Sequence, residues 1–248
     1  MKPFLVLQLR PEDDVADNEL AAILRFGNLN PSNVHRVRTE KEGIPDVSLD
    51  GYSGVIIGGA PYNVSDHNKK PDQRKIESRL YSLMDKIMAK DFPFLGECYG
   101  LGILASYLGG SVSKEQYGEG VGAVTVSLSN EASDDPLLAG LPKKFRAFVG
   151  HKEACQHVPP QATHLASSKS CLVQMIKVKE NIYATQFHPT LDSHALAIRV
   201  NAYKHVGYFP PEDAEKLIAL AHKETITVPE LILGRFVERY SQPKRLTN

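Results

Sequence analysis

The segment Phe92-Pro93-Phe94-Leu95-Gly96-Glu97-Cys98-Tyr99-Gly100 joins an apolar strand to a helix through a tight turn. The apolar run from Phe92 to Gly96 predicts the strand, and helical spacing starts near Leu101. Glycines two residues before and after Cys98 relieve the steric cost of a sharp turn at that residue. The sequence therefore predicts a strand-turn-helix unit with Cys98 exposed at the turn, where the helix dipole favours a thiolate.

Alternating strands and helices flank this unit. Apolar runs at residues 4–9, 34–37 and 53–59 predict further strands. Apolar residues at helical spacing predict helices near residues 20–29 and 72–89. The run at 53–59 has an unbroken apolar core, which is typical of a strand buried on both faces of a parallel sheet. We therefore expect an α/β fold with a mostly parallel central sheet and helices on both faces, as in flavodoxin-like proteins.

The middle of the chain has a different pattern. Between residues 121 and 187 several β-rich runs occur with little helical periodicity, which predicts a smaller antiparallel β portion attached to the parallel sheet. Helical spacing resumes near Asp192, and prolines open two further candidate helices at residues 211–222 and 229–240. We expect residues 1–248 to form a single domain, in which about 205–248 is a helical C-terminal extension.

Composition and charge exclude several classes of protein. Lys plus Arg number 29 and Asp plus Glu number 29, so no net positive field attracts nucleic acid or an anionic membrane. The three cysteines form no CxxC pair, which favours a reducing compartment and argues against a zinc or iron–sulfur centre. The N-terminal apolar run is too short for a signal peptide. The sequence predicts a cytoplasmic protein without nucleic-acid or membrane partners, and without a metal or other cofactor.

Three separated motifs carry candidate chemistry. The G-x-C-x-G pattern around Cys98 is the one in which α/β hydrolases place a nucleophilic serine. His188 ends an apolar strand and precedes a proline, which makes it the candidate base. The glycine-rich strand end at Gly59, together with Tyr99 after the nucleophile, can present backbone N–H groups to an oxyanion. The three motifs together predict acyl transfer through a cysteine.

Several motifs in this order resemble the class I (triad) glutamine amidotransferase domain, most closely the glutaminase portion of the GMP-synthase-like group. The resemblance covers roughly residues 3 to 205, and its motifs are GGAPYNV (58–64), GECYG (96–100), QYG (116–118), GHKE (150–153) and QFHP (186–189). It implies that Cys98 attacks the side-chain amide of glutamine, while His188 acts as base and then as acid to the leaving ammonia. It also implies oxyanion N–H groups from Gly59 and Tyr99, and glutamine recognition by Tyr117, Gly118 and His151.

One position departs from the family pattern. The family histidine is normally followed by Pro-Glu, whose glutamate completes the triad, whereas this chain has His188-Pro189-Thr190. A threonine hydroxyl can accept the Nδ1–H of the histidine, but it supplies no negative charge for an imidazolium. Asp192, two residues further on, is a possible substitute. The sequence leaves open which of the two residues orients the base.

The leading functional hypothesis is therefore a glutaminase with a Cys98 γ-glutamyl thioester. After residue 205 only about 40 residues remain and no P-loop motif is present. We therefore expect ammonia to pass to an acceptor or synthetase outside this chain. Two alternatives stay open: a catalytically weak or inactive binding or regulatory protein, suggested by Thr190, and a γ-glutamyl peptide hydrolase that uses the same thioester chemistry.

Overall fold

The computed structural model describes residues 1–241, so residues 242–248 of the predicted extension lie outside the described part. The strands are β1 (Phe4–Gln8), β2 (Val34–Arg38), β3 (Gly54–Ile57), β4 (Phe94–Glu97), β5 (Val112–Ser113), β6 (Glu119–Leu128), β7 (Lys144–His151), β8 (Ala154–Cys155), β9 (Ala162–Ser168), β10 (Met175–Val178) and β11 (Ile182–Thr185). The helices are α1 (Asp13–Phe26), α2 (Thr39–Glu42), α3 (Pro71–Lys90), α4 (Tyr99–Tyr107), α5 (Ser193–Tyr203), α6 (Ala214–Ala221) and α7 (Val228–Ser241).

One nine-stranded sheet runs through the molecule in the order β2-β1-β3-β4-β11-β10-β9-β6-β7. The first five strands of that order pair in parallel, and each of the remaining pairings is antiparallel. Strands β5 and β8 form a separate antiparallel pair. The predicted parallel sheet with an attached antiparallel portion is confirmed.

Alternate residues of the parallel strands enter two different apolar cores. On β1, Leu5 and Leu7 belong to the core formed with α3 and α4, whereas Phe4 and Val6 belong to the core formed with α1 and α7. Successive side chains of a strand point to opposite faces of its sheet. The two cores therefore lie on opposite faces, and the expected helices on both faces are confirmed.

The two predicted C-terminal helices pack against the sheet and its flanking helices. Helix α7 buries Ile232, Leu233, Phe236 and Val237 in the core that also holds α1, whereas Leu231 is 48% exposed. Helix α6 packs beside α5. No helix in residues 1–241 combines the length and the apolar character needed to cross a membrane.

The junction of β4 and β11 positions the predicted chemistry. The two strands pair in parallel with Glu97 opposite Thr185, so their carboxyl ends lie side by side. Cys98 follows β4 directly, and His188 lies three residues beyond the end of β11. Ligand sites of open α/β sheets occur outside the carboxyl ends of the strands, and this edge is the corresponding place here.

Candidate active site

Cys98 alone forms the turn between β4 and α4. Its backbone has φ 50° and ψ −90°, a conformation that residues with a Cβ seldom adopt. A Cβ on Gly96 would lie 2.8 Å from the backbone of Gly100, so the close approach of strand and helix requires glycine. The Cys98 N–H donates to the carbonyl of Thr185 at 2.6 Å. These contacts fix the predicted turn against β11.

The thiol of Cys98 is less activated at rest than the sequence predicts. The residue is half-buried, and desolvation raises the pKa of its thiol to about 12, although Arg10 and Arg199 act in the opposite direction. Burial therefore opposes the thiolate that a helix N-terminus favours. Nucleophilic attack needs a group that accepts the proton as the thiol reacts.

His188 lines the same cavity as Cys98, a space of about 50 Å³. Its ring is buried, and its backbone N–H donates to the carbonyl of Phe148 at 3.2 Å. Burial lowers the pKa of His188 well below its usual value, and the nearby positive charges of Arg199 and Arg10 lower it further. The resting imidazole is neutral and can accept a proton.

Glu97, the residue before the nucleophile, faces this histidine. Its Oε2 lies 3.7 Å from Nδ1 of His188 and accepts a hydrogen bond from the hydroxyl of Thr190 at 2.8 Å. Glu97 and Thr190 are both fully buried. Burial, with a further contribution from Glu19, raises the pKa of Glu97 to about 8. The site thus holds a carboxylate that the family pattern places elsewhere.

Asp192 is engaged at the start of α5. Its Oδ1 accepts the N–H of Ala195 at 2.7 Å, which makes Asp192 the N-cap of the helix. Its Oδ2 pairs with the Arg25 guanidinium. Burial raises the pKa of its carboxyl, but the Ala195 N–H and Arg25 outweigh that effect and hold the pKa below its usual value. Both oxygens therefore have partners at the helix start.

Two buried arginines complete the surroundings of His188. Glu19 accepts from Nε of Arg10 at 3.2 Å and from Nη2 of Arg199 at 3.4 Å. Nη1 of Arg199 lies 3.4 Å from Nδ1 of His188. A Cβ on Gly59 would come within 2.5 Å of Nη2 of Arg10 and 2.9 Å of Cε1 of His188. Only glycine at position 59 lets the backbone pass this close to the base.

The two predicted oxyanion donors differ in position: Tyr99 follows the nucleophile directly, and Gly59 lies beside His188. Tyr99 opens α4, and N–H groups in the first turn of a helix have no intrahelical acceptor. Its phenol donates to Glu77 at 2.7 Å, which anchors the ring to α3. Gly59 lies on the His188 side of the site. The arrangement is compatible with the predicted oxyanion hole, and the roles of both N–H groups stay predictions.

The three residues predicted to recognise glutamine differ in their placement. His151 lines a second cavity of about 10 Å³ that also contains Cys98. Gly118 packs against the backbone of Lys152, next to His151. Tyr117 is half-buried with φ 65°. Within the described residues, neither Tyr117 nor Gly118 lines either cavity, so their part in glutamine binding stays a prediction.

His151 belongs to a buried hydrogen-bond network centred on Glu119. Its Nδ1 faces the carbonyl of Glu153 at 2.8 Å and its Nε2 faces the carboxylate of Glu119 at 2.9 Å. Ser168 and Gln174 each donate to the same carboxylate at 2.6 Å. Glu119, His151 and Cys171 also place possible ligand atoms within 4.8 Å of one another. Of these three side chains, His151 and Glu119 bond each other, whereas the Cys171 thiol donates to the carbonyl of Val173 at 3.5 Å.

Sequence reasoning missed Glu97, Arg10 and Arg199. Glu97 directly precedes Cys98 in the predicted turn. A charged residue at the end of an apolar strand was a usable signal, because the chain lacks the usual triad glutamate. Nothing in the sequence pattern distinguishes the two arginines from surface residues. Their burial depends on the packing of α5 against α1.

The fold and the site together define an α/β protein with a cysteine at a strained strand-to-helix turn and a histidine in the same cavity. This chain belongs to the class-I glutamine amidotransferase family, because the model of that family matches residues 15–197. The confirmed family agrees with the resemblance carried by the sequence motifs.

Individual relatives support the same placement. A glutamine-hydrolysing GMP synthase subunit from Haloarcula marismortui is 39% identical over 146 residues, which cover 58% of this chain and 67% of that protein. The glutamine-hydrolysing GMP synthase from Borrelia garinii is 30% identical over 137 residues, or 55% of this chain and 23% of that protein. The match thus spans about a quarter of the length of such full GMP synthases.

A solved structure shows the same fold. The crystal structure of a glutamine amidotransferase from Thermotoga maritima aligns with a TM-score of 0.78, covering 98% of this chain and 100% of that one at 24% identity. At this identity the likeness concerns the fold alone. It extends through almost the whole described chain, including the C-terminal helices.

Proposed function

We propose that this chain hydrolyses the side-chain amide of glutamine at Cys98 and supplies the ammonia to a separate acceptor. The observation that carries the proposal is the strained Cys98 turn, which shares one cavity with the buried neutral His188. Family membership supports the choice of substrate. The reaction class follows from the pairing of a thiol with a nearby base.

The first half-reaction forms the thioester. Cys98 Sγ attacks the amide carbon of glutamine as its proton passes to His188, and the oxyanion accepts hydrogen bonds from the N–H groups of Gly59 and Tyr99. The tetrahedral intermediate collapses as the C–N bond breaks. His188 returns the proton to the departing nitrogen, which leaves as ammonia.

The second half-reaction releases glutamate. Water attacks the γ-glutamyl thioester while His188 removes a proton from it. The C–S bond then breaks, and the thiol of Cys98 regains its proton from His188. The chain ends in its starting state, so no external cofactor enters the proposed cycle.

A partner would use the ammonia. The relatives from Haloarcula marismortui and Thermoplasma volcanium are each named as one subunit of GMP synthase, so the name belongs to one part of a larger enzyme. We propose by analogy a synthetase partner for this chain, or a freely diffusing acceptor. The cytoplasm is the compartment proposed for this reaction.

Ammonia release from L-glutamine tests the proposal directly. The wild-type chain should release ammonia and glutamate in equal amounts, and Cys98→Ala should release none. Cys171→Ala is the matched control, because this cysteine is buried and lines neither of the two cavities at Cys98, so its loss should not affect the reaction. Mass spectrometry after treatment with the glutamine analogue 6-diazo-5-oxonorleucine should find the adduct on Cys98.

The same experiment separates the alternatives. Release of an amine from γ-glutamyl amides without ammonia release from glutamine would identify a γ-glutamyl hydrolase. Absence of both the adduct and ammonia, with and without a candidate synthetase, would favour a binding protein. Either result would overturn the proposed glutaminase.

A further inference from the structure

We infer that Glu97 is the positioning carboxylate of His188 and supplies the negative charge that position 190 lacks. The inference rests on the proposed function, since it takes His188 as the base. It stands on three observations: Glu97 Oε2 is 3.7 Å from Nδ1 of His188, accepts the Thr190 hydroxyl at 2.8 Å, and is fully buried. The positioning group therefore lies on the nucleophile strand itself.

The charges around His188 create the need for such a group. Nη1 of Arg199 is 3.4 Å from Nδ1, and Arg10 approaches the same ring beside Gly59. Both guanidinium groups disfavour an imidazolium. The carboxylate of Glu19 is already shared between the two arginines. Glu97 is the carboxylate within ion-pair distance of the histidine, and its Oε1 is buried without a partner among the described residues.

Thr190 holds this carboxylate in place. Its hydroxyl donates to the same Oε2 that faces the histidine, and its side chain is fully enclosed. A hydroxyl can donate to a carboxylate, whereas an ionised carboxylate at position 190 could not. The threonine and Glu97 are therefore a matched pair, and Thr190 acts through Glu97.

Glu97 acts by orienting and stabilising the imidazole rather than by exchanging a proton. With Nδ1–H directed at Glu97, Nε2 is free to accept the proton of the Cys98 thiol. The resulting imidazolium then faces a negative charge. The 3.7 Å separation is longer than a hydrogen bond, and catalytic contacts of this kind often shorten only when substrate binds.

The competing arrangement has a different tautomer. If Arg199 donates to Nδ1, the proton of the neutral ring lies on Nε2 and the ring cannot accept the thiol proton. The two arrangements thus differ in the position of one proton on His188. That position is measurable without any turnover.

The first measurement is the tautomer of His188, read from ¹⁵N chemical shifts of histidine-labelled protein above the pKa of Glu97. The wild type should carry the proton on Nδ1, and Glu97→Gln should shift it toward Nε2. Glu77→Gln is the matched control, because this buried carboxyl bonds Tyr99 and Lys69 instead and should leave the tautomer unchanged. Thr190→Val should weaken the Nδ1–H state, and Thr190→Ser should restore it.

The second measurement is glutamine turnover. Above the pKa of Glu97, where this carboxyl is ionised, Glu97→Gln should lower kcat by about 100-fold or more with little change in KM, since orienting a base typically contributes 10²- to 10⁴-fold. Thr190→Val should cost about tenfold, the usual effect of one hydrogen bond to a charged group. Thr190→Ser should stay within about twofold of wild type.

The results separate this inference from the proposed function. Failure of every protein, wild type included, to hydrolyse glutamine would overturn the function, while the tautomer would still test Glu97. An Nε2–H tautomer in the wild type, or no change of tautomer in Glu97→Gln, would overturn the inference. If Glu97→Gln does not fold, the inference is tested by the tautomer of His188 in the wild type, Thr190→Val and Thr190→Ser. A tautomer that is the same in all three proteins would overturn it.

Discussion

Cys98 is held in a backbone conformation that the rest of the site must enforce. A non-glycine residue at φ 50° and ψ −90° stores strain, on the order of 1–3 kcal/mol. The hydrogen bond to Thr185 and the contact of Gly96 with Gly100 hold the residue there. The turn places Cys98 in the wall of the cavity, where burial raises the pKa of its thiol.

The threonine at position 190 gives a residue-scale prediction. Thr190→Glu should lower glutamine turnover, because two carboxylates would then face each other beside His188 and one would have to take up a proton. The double variant Glu97→Gln with Thr190→Glu should be more active than either single variant, since one carboxylate remains. Steady-state kinetics of the four proteins measures this coupling. A tenfold gain from Thr190→Glu alone would show that Glu97 has no positioning role.

Asp192 gives a prediction at the scale of an element. Its carboxylate caps α5, so Asp192→Ala should lower the free energy of unfolding by about 1 kcal/mol. We expect alkylation of Cys98 and the tautomer of His188 not to change, because the two oxygens of Asp192 bond Ala195 and Arg25. Urea denaturation measures the free energy of unfolding, iodoacetamide labelling measures the reactivity of Cys98, and ¹⁵N chemical shifts report the tautomer of His188. Loss of Cys98 reactivity at unchanged stability would make Asp192 an orienting residue after all.

The connection between α5 and α6 covers the candidate site. Tyr208 lines both cavities at Cys98, and its hydroxyl donates to the carbonyl of Pro61 at 3.3 Å. Lys152 places its ammonium 4.4 Å from the centre of the same ring. The ring of Tyr208 therefore forms part of the wall of both cavities that contain Cys98.

Removal of the Tyr208 ring should therefore open the site. Tyr208→Ala should increase the rate of Cys98 alkylation by iodoacetamide severalfold, while Cys171, which is buried and lines neither cavity, stays unlabelled in the folded protein. Tyr107→Ala, at a half-buried tyrosine that bonds Asp85 on α3, is the control and should leave the rate unchanged. An equal rate in both variants and the wild type would mean that Tyr208 does not limit access.

At the scale of the whole molecule, the buried pair at the active site makes stability depend on pH. The pKa of Glu97 is raised to about 8 in the folded chain, so the folded state keeps a proton that the unfolded state loses above its usual pKa of 4.5. Stability from this group is complete below pH 4.5 and is lost as the pH rises to about 8. Full burial makes the loss a few kcal/mol in order of magnitude.

Glu97→Gln should remove that loss. The variant should gain stability relative to wild type between about pH 5 and pH 8, while glutamine turnover, which needs the ionised carboxylate, should rise with pH in the wild type and not in the variant. Chemical denaturation at both ends of this range and a pH–rate profile provide the measurements. A constant stability difference across the range would contradict the raised pKa of Glu97.

The sequence alone determined the alternation of strands and helices, the turn at Cys98 and the candidate base His188. These features depend on local patterns: apolar runs, glycines at fixed spacing and a histidine at a strand end. The motif order was also sufficient to predict the class-I amidotransferase family, which the match over residues 15–197 confirms.

Only the tertiary structure decided which groups surround the histidine. Glu97 and Thr190 are 93 residues apart in sequence and meet because β4 pairs with β11 in a register that places Glu97 opposite Thr185. Arg10 and Arg199 meet at Glu19 because α5 packs against α1. A pattern of apolar residues specifies that a strand is buried, but not which strand lies beside it. Long-range pairing therefore fixes the charges and protonation states at this site.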